Sequence, residues 1–155
     1  PSPAKLIDSG KVTEYVSPAF NYRLYYPSAW QAAEVDSNGT QLLLSSITGD
    51  YIEVRVVDKQ LGQDFGSWFA QNAVRERITD LSPFTNMFGI SGRSRKDNLV
   101  AYISDSGPQV FVMIYHPSGS GPIRYRHVMG LLISSFRGPG SRAIDAEGAE
   151  VSTVL

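Results

Sequence analysis

The stretch FNYRLYYPSAW, residues 20–30, decides the fold because large apolar side chains alternate along it with more polar ones. Alternation of this kind predicts an extended strand with one buried side. The side chains predicted to face the core are Phe20, Tyr22, Leu24 and Tyr26. Pro27 has no N–H for a sheet hydrogen bond, so the strand should end there, and Trp30 should fold back over its end as a large apolar plug.

The composition is that of an ordinary globular domain with almost no net charge. The 155 residues are 42% hydrophobic and 19% charged, and 14 Lys and Arg nearly balance 15 Asp and Glu. Because non-specific phosphate binding needs a clear excess of basic side chains, nucleic acid is not an expected partner. The lack of cysteine excludes disulfides, thiol catalysis and thiolate metal sites.

A single globular domain is predicted over residues 12–137. Residues 1–11 have the proline and glycine content of a linker or N-terminal arm, and residues 138–155 have that of a flexible C-terminal tail. The longest apolar run covers residues 110–115, far short of the roughly 20 needed to cross a bilayer, so no transmembrane segment is predicted. The missing initiator methionine has two interpretations, an expressed fragment of a longer protein or a mature form cut after a targeting segment.

The first half of the domain is predicted to be an antiparallel meander. Residues 31–36 and 40–46 flank Ser37-Asn38-Gly39, and Asn-Gly between extended runs is a strong hairpin signal. Residues 51–57 alternate again and predict a further strand.

Two helices and a second hairpin are predicted in the other half. Residues 61–81 carry apolar side chains at helical spacing, with Asp64 as a cap near the start. Residues 99–103 and 109–115 predict a more deeply buried hairpin. The stripe of the last helix consists of Tyr125, Val128, Met129, Leu132 and Phe136. The predicted order is strands followed by a helix, then strands followed by a second helix. This order indicates an α+β fold, an α/β/α sandwich with a central, mainly antiparallel sheet.

Four short motifs are similar to those of a known superfamily. They are YYPSAW (25–30), VAYI (100–103), VFVMIY (110–115) and LLISSFR (131–137). Together they resemble the Mog1/PsbP-like superfamily, most closely its bacterial PsbP-related branch, over about residues 12–137. Members of this superfamily act by docking, on photosystem II or on a small GTPase, and bacterial members are often exported and lipid-anchored. The resemblance implies a noncatalytic protein-binding or assembly module in an extracytoplasmic setting (periplasmic, cell-surface or lumenal), tethered through a removed N-terminal segment.

The sequence has no catalytic constellation. A serine triad needs an activated serine beside a histidine, but there is no G-x-S-x-G motif, and His116 and His127 are expected to be polar ends of packed elements. Their nearest carboxylates in sequence, Asp97 and Asp105, do not make up the three or four ligands of a metal site. No enzyme activity, metal or cofactor is predicted. The alternatives are a small-molecule or lipid carrier with an apolar cavity, and an enzyme with a scattered site.

The candidate binding residues are Arg93, Arg95 and Lys96, with Tyr25 as an aromatic anchor. The three cations belong to the one concentrated basic run, GRSRK at 92–96, which is predicted to be a loop between strands. Aromatic and Arg side chains are common anchors of protein interfaces. Tyr25 is expected to point outward beside Arg23, in an exposed aromatic patch to which Tyr15, Tyr51 and Phe84 would add. A protein partner is expected, an anionic membrane surface is a second candidate, and a merely solvated loop is the alternative.

Overall fold

The computed structural model describes most of the predicted domain. The described residues are 11–60, 62–76, 81–97, 99–104, 108–119 and 123–138. They form nine strands and two helices. Apart from Lys11 and Gly138, the predicted N-terminal arm (1–11) and C-terminal tail (138–155) lie outside the described residues.

Two antiparallel sheets contain the nine strands. Strands β1 (Val12–Val16) and β2 (Arg23–Pro27) form a hairpin. The other seven are β3 (Gln31–Glu34), β4 (Gln41–Ser45), β5 (Tyr51–Asp58), β6 (Leu81–Thr85), β7 (Ser91–Arg95), β8 (Val100–Ser104) and β9 (Gln109–His116). They lie in the order β3-β4-β5-β9-β8-β7-β6, so β6 is an edge strand. With helices α1 (Phe65–Glu76) and α2 (Arg126–Ser135), this large antiparallel sheet confirms the α+β class.

The apolar side chains form two core clusters. In β8, Ala101 and Ile103 belong to the main cluster and Tyr102 to the second one, because successive side chains of a strand point to opposite faces of the sheet. The main cluster includes buried residues of β2 and of α2, whereas Trp68 and Phe69 of α1 belong to the second. The two helices therefore cover different parts of the sheet surface.

The opening stretch packs as its alternation predicts. Tyr22 and Leu24 are completely buried, and Phe20 and Tyr26 pack against the same cluster from its periphery. Strand β2 ends at Pro27, and Trp30 is only 7% exposed. The Trp30 ring meets the ring of Tyr125 edge-on, with 5.1 Å between the centroids. The predicted burial of Trp30 is confirmed.

Three other predicted elements are also confirmed. The β3–β4 hairpin encloses Asn38-Gly39, and Gly39 has the positive φ of 71° that such turns require. Strands β8 and β9 form the deeply buried second hairpin, and residues 105–107 between them lie outside the described residues. Helix α2 buries Val128, Met129 and Leu132 of its predicted stripe. Strand β1, in contrast, has no counterpart in the sequence-based prediction.

The first helix is shorter than predicted. Asp64 caps it, because its Oδ1 accepts a hydrogen bond of 2.7 Å from the backbone N–H of Ser67. The described helix runs to Glu76 and residues 77–80 lie outside the described residues, but Leu81 begins strand β6, so the prediction of helix as far as Leu81 is wrong. Leu81 packs against the second core cluster from a strand, and its position does not match the helical stripe.

The basic run at residues 92–96 also differs in secondary structure from its prediction. Arg93 and Arg95 belong to β7, which pairs with both β6 and β8, so the predicted loop at 92–96 is mostly strand. Pairing on both sides overrides the low apolar content of this segment. Within the described part of the chain, no helix is long and apolar enough to cross a membrane.

Candidate functional site

An open groove of about 470 Å³ lies beside the edge strand β6. It is lined by Phe65 at the start of α1, by residues 83–85 of β6 and by residues 91–93 of β7. We call it the β6 groove. Its walls combine aromatic, hydroxyl and guanidinium groups, which is the chemistry of a protein-binding surface and not that of a purely apolar cavity.

Strand register explains why these side chains meet. Pro83 lies opposite Arg93, and Thr85 lies opposite Ser91, so the four side chains share one face of the sheet. Arg93 also lies opposite Tyr102, which belongs to the core cluster of α1. The β6 groove is therefore on the α1 side of the sheet.

Arg93 is held in place by an aromatic ring. Its guanidinium carbon lies 4.3 Å from the ring centroid of Phe69 of α1, a cation–π contact. The Arg93 side chain is partly buried, and it makes no salt bridge or side-chain hydrogen bond with another described residue. Its N–H groups are therefore available to a ligand in the groove.

Gly92 makes room for an aromatic ring on the face of the sheet opposite Arg93. A Cβ atom added at Gly92 would lie 2.5 Å from Cζ of Phe84 and 2.5 Å from the backbone oxygen of Tyr102. The Phe84 ring thus occupies the space that any side chain at position 92 would need. Phe84 packs there against the main core cluster, so its ring does not face the α1 side of the sheet.

The other predicted binding residues differ in their surroundings. The Nε of Arg95 donates to both carboxylate oxygens of Asp97, at 2.8 and 2.9 Å, and this contact lowers the pKa of Asp97. Its charge is therefore already paired. Lys96 is exposed on the turn that follows β7. The cationic residue that the structure places in the groove is Arg93.

Tyr25 does not join the three cations. Its ring lies 5.3 Å from the guanidinium carbon of Arg137, and its backbone N–H donates a 2.9 Å hydrogen bond to Oγ of Ser135. These partners belong to the end of α2 and to the residues after it, whereas Arg93 contacts α1. Tyr25 is therefore separate from the β6 groove.

The predicted aromatic patch is not formed as a single surface. Tyr15 donates to Glu34 at 2.8 Å, and Tyr51 stacks on His116 with 4.4 Å between the ring centroids. Phe84, in contrast, packs over Gly92. Each ring is partly buried against its own neighbours, so the expectation that they extend a patch around Tyr25 is wrong.

A second polar cluster surrounds the buried carboxylate of Asp50. Ser118 donates to it at 2.6 Å, Tyr115 donates through its hydroxyl, and Thr48 donates at 3.2 Å. The hydrogen bonds from Ser118 and then Tyr115 lower the pKa of Asp50 to about 2. Nη1 of Arg124 also lies 3.5 Å from Oδ1 of Asp50. The contacts of this carboxylate therefore connect the β4–β5 turn to the segment after β9.

His116 has a carboxylate partner but no catalytic arrangement around it. Its Nε2 lies 3.4 Å from Glu53, which also contacts Arg55 at 3.0 Å and Gln41. Burial opposes ionisation of Glu53, but the hydrogen bonds of these neighbours lower its pKa. His127 is exposed on α2. The described residues contain no group of three or more His, Asp or Glu that could hold a metal ion.

Most residues of the groove region, Phe65, Phe69 and Pro83 among them, were not predicted as binding residues. Phe65 and Phe69 matched the apolar stripe of a helix, and Pro83 lay in a segment with no predicted element. A proline within a short extended run is typical of an edge strand, and this signal pointed to β6. No family model matches the chain, and a search of curated proteins finds no match either.

Proposed function

We propose that this protein is a noncatalytic protein-binding or assembly module, and that the β6 groove is its docking surface. The observation that carries the proposal is the groove itself, which is open, partly aromatic and formed by side chains of α1, β6 and β7. Phe65 and Arg93 provide the two side-chain types that most often anchor protein interfaces. The occupant is a segment of a protein partner.

The lining favours a protein segment over a lipid or another apolar cargo. Thr85 and Ser91 are exposed and polar, and Arg93 adds a charge, so an alkyl chain in the groove would bury polar groups without hydrogen bonds. A peptide offers hydrogen-bonding groups along its whole length. This contrast supports docking as the function.

The wider setting is a proposal that rests on the resemblance in the sequence motifs. We infer an α/β/α sandwich of the Mog1/PsbP type, in the bacterial PsbP-related branch, and an extracytoplasmic protein tethered by a lipid anchor. The packing of α1 and α2 against different core clusters supports the sandwich. The docking roles within that superfamily support a binding module.

Photo-crosslinking from the groove tests the proposed function. A benzophenone side chain replaces exposed Thr85 in the groove or, as the control, Ile47 in the β4–β5 turn, which is 95% exposed. Each variant is irradiated in an extract of the native host. We expect a discrete protein adduct from position 85 that excess unlabelled protein removes, and no such adduct from position 47. The same adducts from both positions, or none from position 85, would contradict docking in the groove.

A further inference from the structure

We infer that Arg93 binds a carboxylate, so that the β6 groove takes an acidic, extended segment of its protein partner. This inference rests on the proposed function and names the chemistry of the partner. It depends on three properties of the groove: its charge, the contact of the Arg93 guanidinium with Phe69 and the edge strand beside it.

The described lining of the groove carries a positive charge. Among the described residues that line it, Arg93 is the only charged one. Asp64 precedes Phe65 in sequence and keeps its negative charge, but its Oδ1 accepts the 2.7 Å hydrogen bond that caps α1, and it does not line the groove. Among the described lining residues, no acidic group therefore opposes the approach of a partner's carboxylate to Arg93.

The guanidinium of Arg93 is placed against an aromatic ring before any ligand binds. Its carbon lies 4.3 Å from the ring centroid of Phe69, and this cation–π contact restricts where the guanidinium can lie. The planar fork of an arginine favours a planar oxyanion that accepts two parallel hydrogen bonds, as a carboxylate does. Partial burial reduces competition from water and strengthens such a contact.

The neighbouring arginine shows this type of contact within the chain. Arg95 is on the same strand and the same side as Arg93, and its Nε lies 2.8 and 2.9 Å from the two oxygens of Asp97. Arg93 has no such internal partner among the described residues. We therefore expect the partner to supply the carboxylate that Arg93 lacks.

The edge strand determines how the segment can be held. Pro83 lies in the middle of β6 and has no N–H, so the free edge offers an interrupted set of donors for an added strand. Side-chain recognition must then supply much of the affinity. An apolar side chain next to the carboxylate would pack between Phe65 and Pro83.

The experiment compares two synthetic peptides by NMR titration of the whole chain. The first has the sequence Gly-Ser-Glu-Phe-Glu-Ser-Gly with blocked ends, and the second has glutamine in place of both glutamates. The signals followed are the Nε–Hε group of Arg93 and the backbone amides of the groove strands. We expect saturable shifts with the acidic peptide and at most weak shifts with the glutamine peptide.

Protein variants separate a specific contact from general charge. Arg93→Gln and Arg95→Gln remove the same charge from the same strand, and Arg93→Lys keeps the charge but loses the planar fork. We expect about tenfold weaker binding for Arg93→Gln, intermediate binding for Arg93→Lys and a change of less than about twofold for Arg95→Gln. Thermal unfolding of each variant shows whether it is folded.

Three results would overturn the inference. One is equal binding of the two peptides, and another is an equal loss in the Arg93→Gln and Arg95→Gln variants. The third is Arg93-dependent binding to vesicles of phosphatidylcholine and phosphatidylserine in equal parts, without binding of the acidic peptide, which would assign the groove to a membrane. An adduct from position 85 together with equal peptide binding would leave the docking function standing and reject only the carboxylate.

Discussion

The side-chain nitrogen of Asn86 donates a 2.8 Å hydrogen bond to the backbone oxygen of Phe136, which joins the β6–β7 turn to the end of α2. The same nitrogen lies 3.1 Å from the oxygen of Ile133. The Oδ1 atom of Asn86 meanwhile accepts hydrogen bonds from the N–H groups of Phe88 and Ile90, within the turn. One side chain therefore shapes the turn and satisfies carbonyl groups that the helix end leaves without partners.

Replacing Asn86 tests this connection. Asn86→Asp keeps an acceptor for the turn but places a negative oxygen against the carbonyls of Ile133 and Phe136. We expect a loss of about 1–3 kcal/mol in the free energy of unfolding, measured with urea. Asn38→Asp makes the same chemical change at an exposed position in the β3–β4 turn and should cost little. Equal losses in both variants would refute the role assigned to Asn86.

Trp30 should be among the most sensitive positions of the main core. It is 7% exposed and meets Tyr125 at 5.1 Å, so Trp30→Ala leaves a cavity where the start of β3 approaches α2. We expect the free energy of unfolding to fall by about 3–5 kcal/mol, and by less for Trp30→Phe, which keeps a ring. A loss below about 1 kcal/mol for the alanine variant would show that the ring does not plug the strand end.

Acid stability should depend on Asp50. Folding lowers its pKa from the usual 3.8 to about 2, because Ser118 and Tyr115 donate hydrogen bonds to the ionised carboxylate. Between these two values the unfolded state binds more protons than the folded state, so this contribution is complete above about pH 4 and is lost as the pH falls towards 2.

Asp50→Asn removes that titration. The variant should be less stable than the wild type at neutral pH, and its free energy of unfolding should fall less steeply between pH 4 and 2, as measured by urea unfolding across this range. Asp58→Asn, at an exposed position of β5, should keep the slope of the wild type. An unchanged slope in the Asp50→Asn variant would show that Asp50 does not contribute to acid unfolding.

The elements that the sequence predicts well are those in which apolar side chains recur at the regular spacing of a strand or a helix. Alternation over residues 20–26 identifies the buried side of the second strand, and spacing of three and four identifies the stripe of α2. In both segments the local pattern and the tertiary contacts favour the same structure. Their buried faces could therefore be predicted without knowledge of their partners.

The β6–β7 hairpin could not be predicted in this way. Its strands read LSPFT and SGRSR, with a central proline in one and few apolar side chains in the other. They are strands because β8 pairs with β7 and β7 with β6, which is a property of the whole sheet. Besides Pro83, a local signal was the turn between them, where Asn86 and Gly89 supply a side-chain acceptor and a φ of 76°.

In the candidate site, too, some features are visible in the local sequence and others depend on tertiary contacts. The charge of Arg93 is visible in the sequence, and Arg95 could have been paired with Asp97 because only one residue separates them. That Phe69 holds the Arg93 guanidinium depends on how α1 lies over β7, and residues 24 positions apart give no local sign of it. Tyr25 likewise meets Arg137 only through tertiary packing.

Replacing Gly92 tests how closely the Phe84 ring packs over strand β7. In Gly92→Ala the new methyl group would lie 2.5 Å from both Cζ of Phe84 and the backbone oxygen of Tyr102. The ring could move, but the carbonyl belongs to the paired strand β8 and could move only with the sheet. We therefore expect a loss of about 1–3 kcal/mol in the free energy of unfolding, measured with urea.

Two further variants separate the causes of that loss. Gly130→Ala is the control, because a Cβ at this position of α2 would meet no other described side chain within 4 Å, and alanine should stabilise the helix by about 0.5–1 kcal/mol. In the double variant with Phe84→Ala, the clash with the ring disappears and the clash with the Tyr102 carbonyl remains, so the added cost of Gly92→Ala should shrink without vanishing. If Gly92→Ala instead stabilises the protein as Gly130→Ala does, then β6 and β7 are not packed as closely as the Phe84 contact requires.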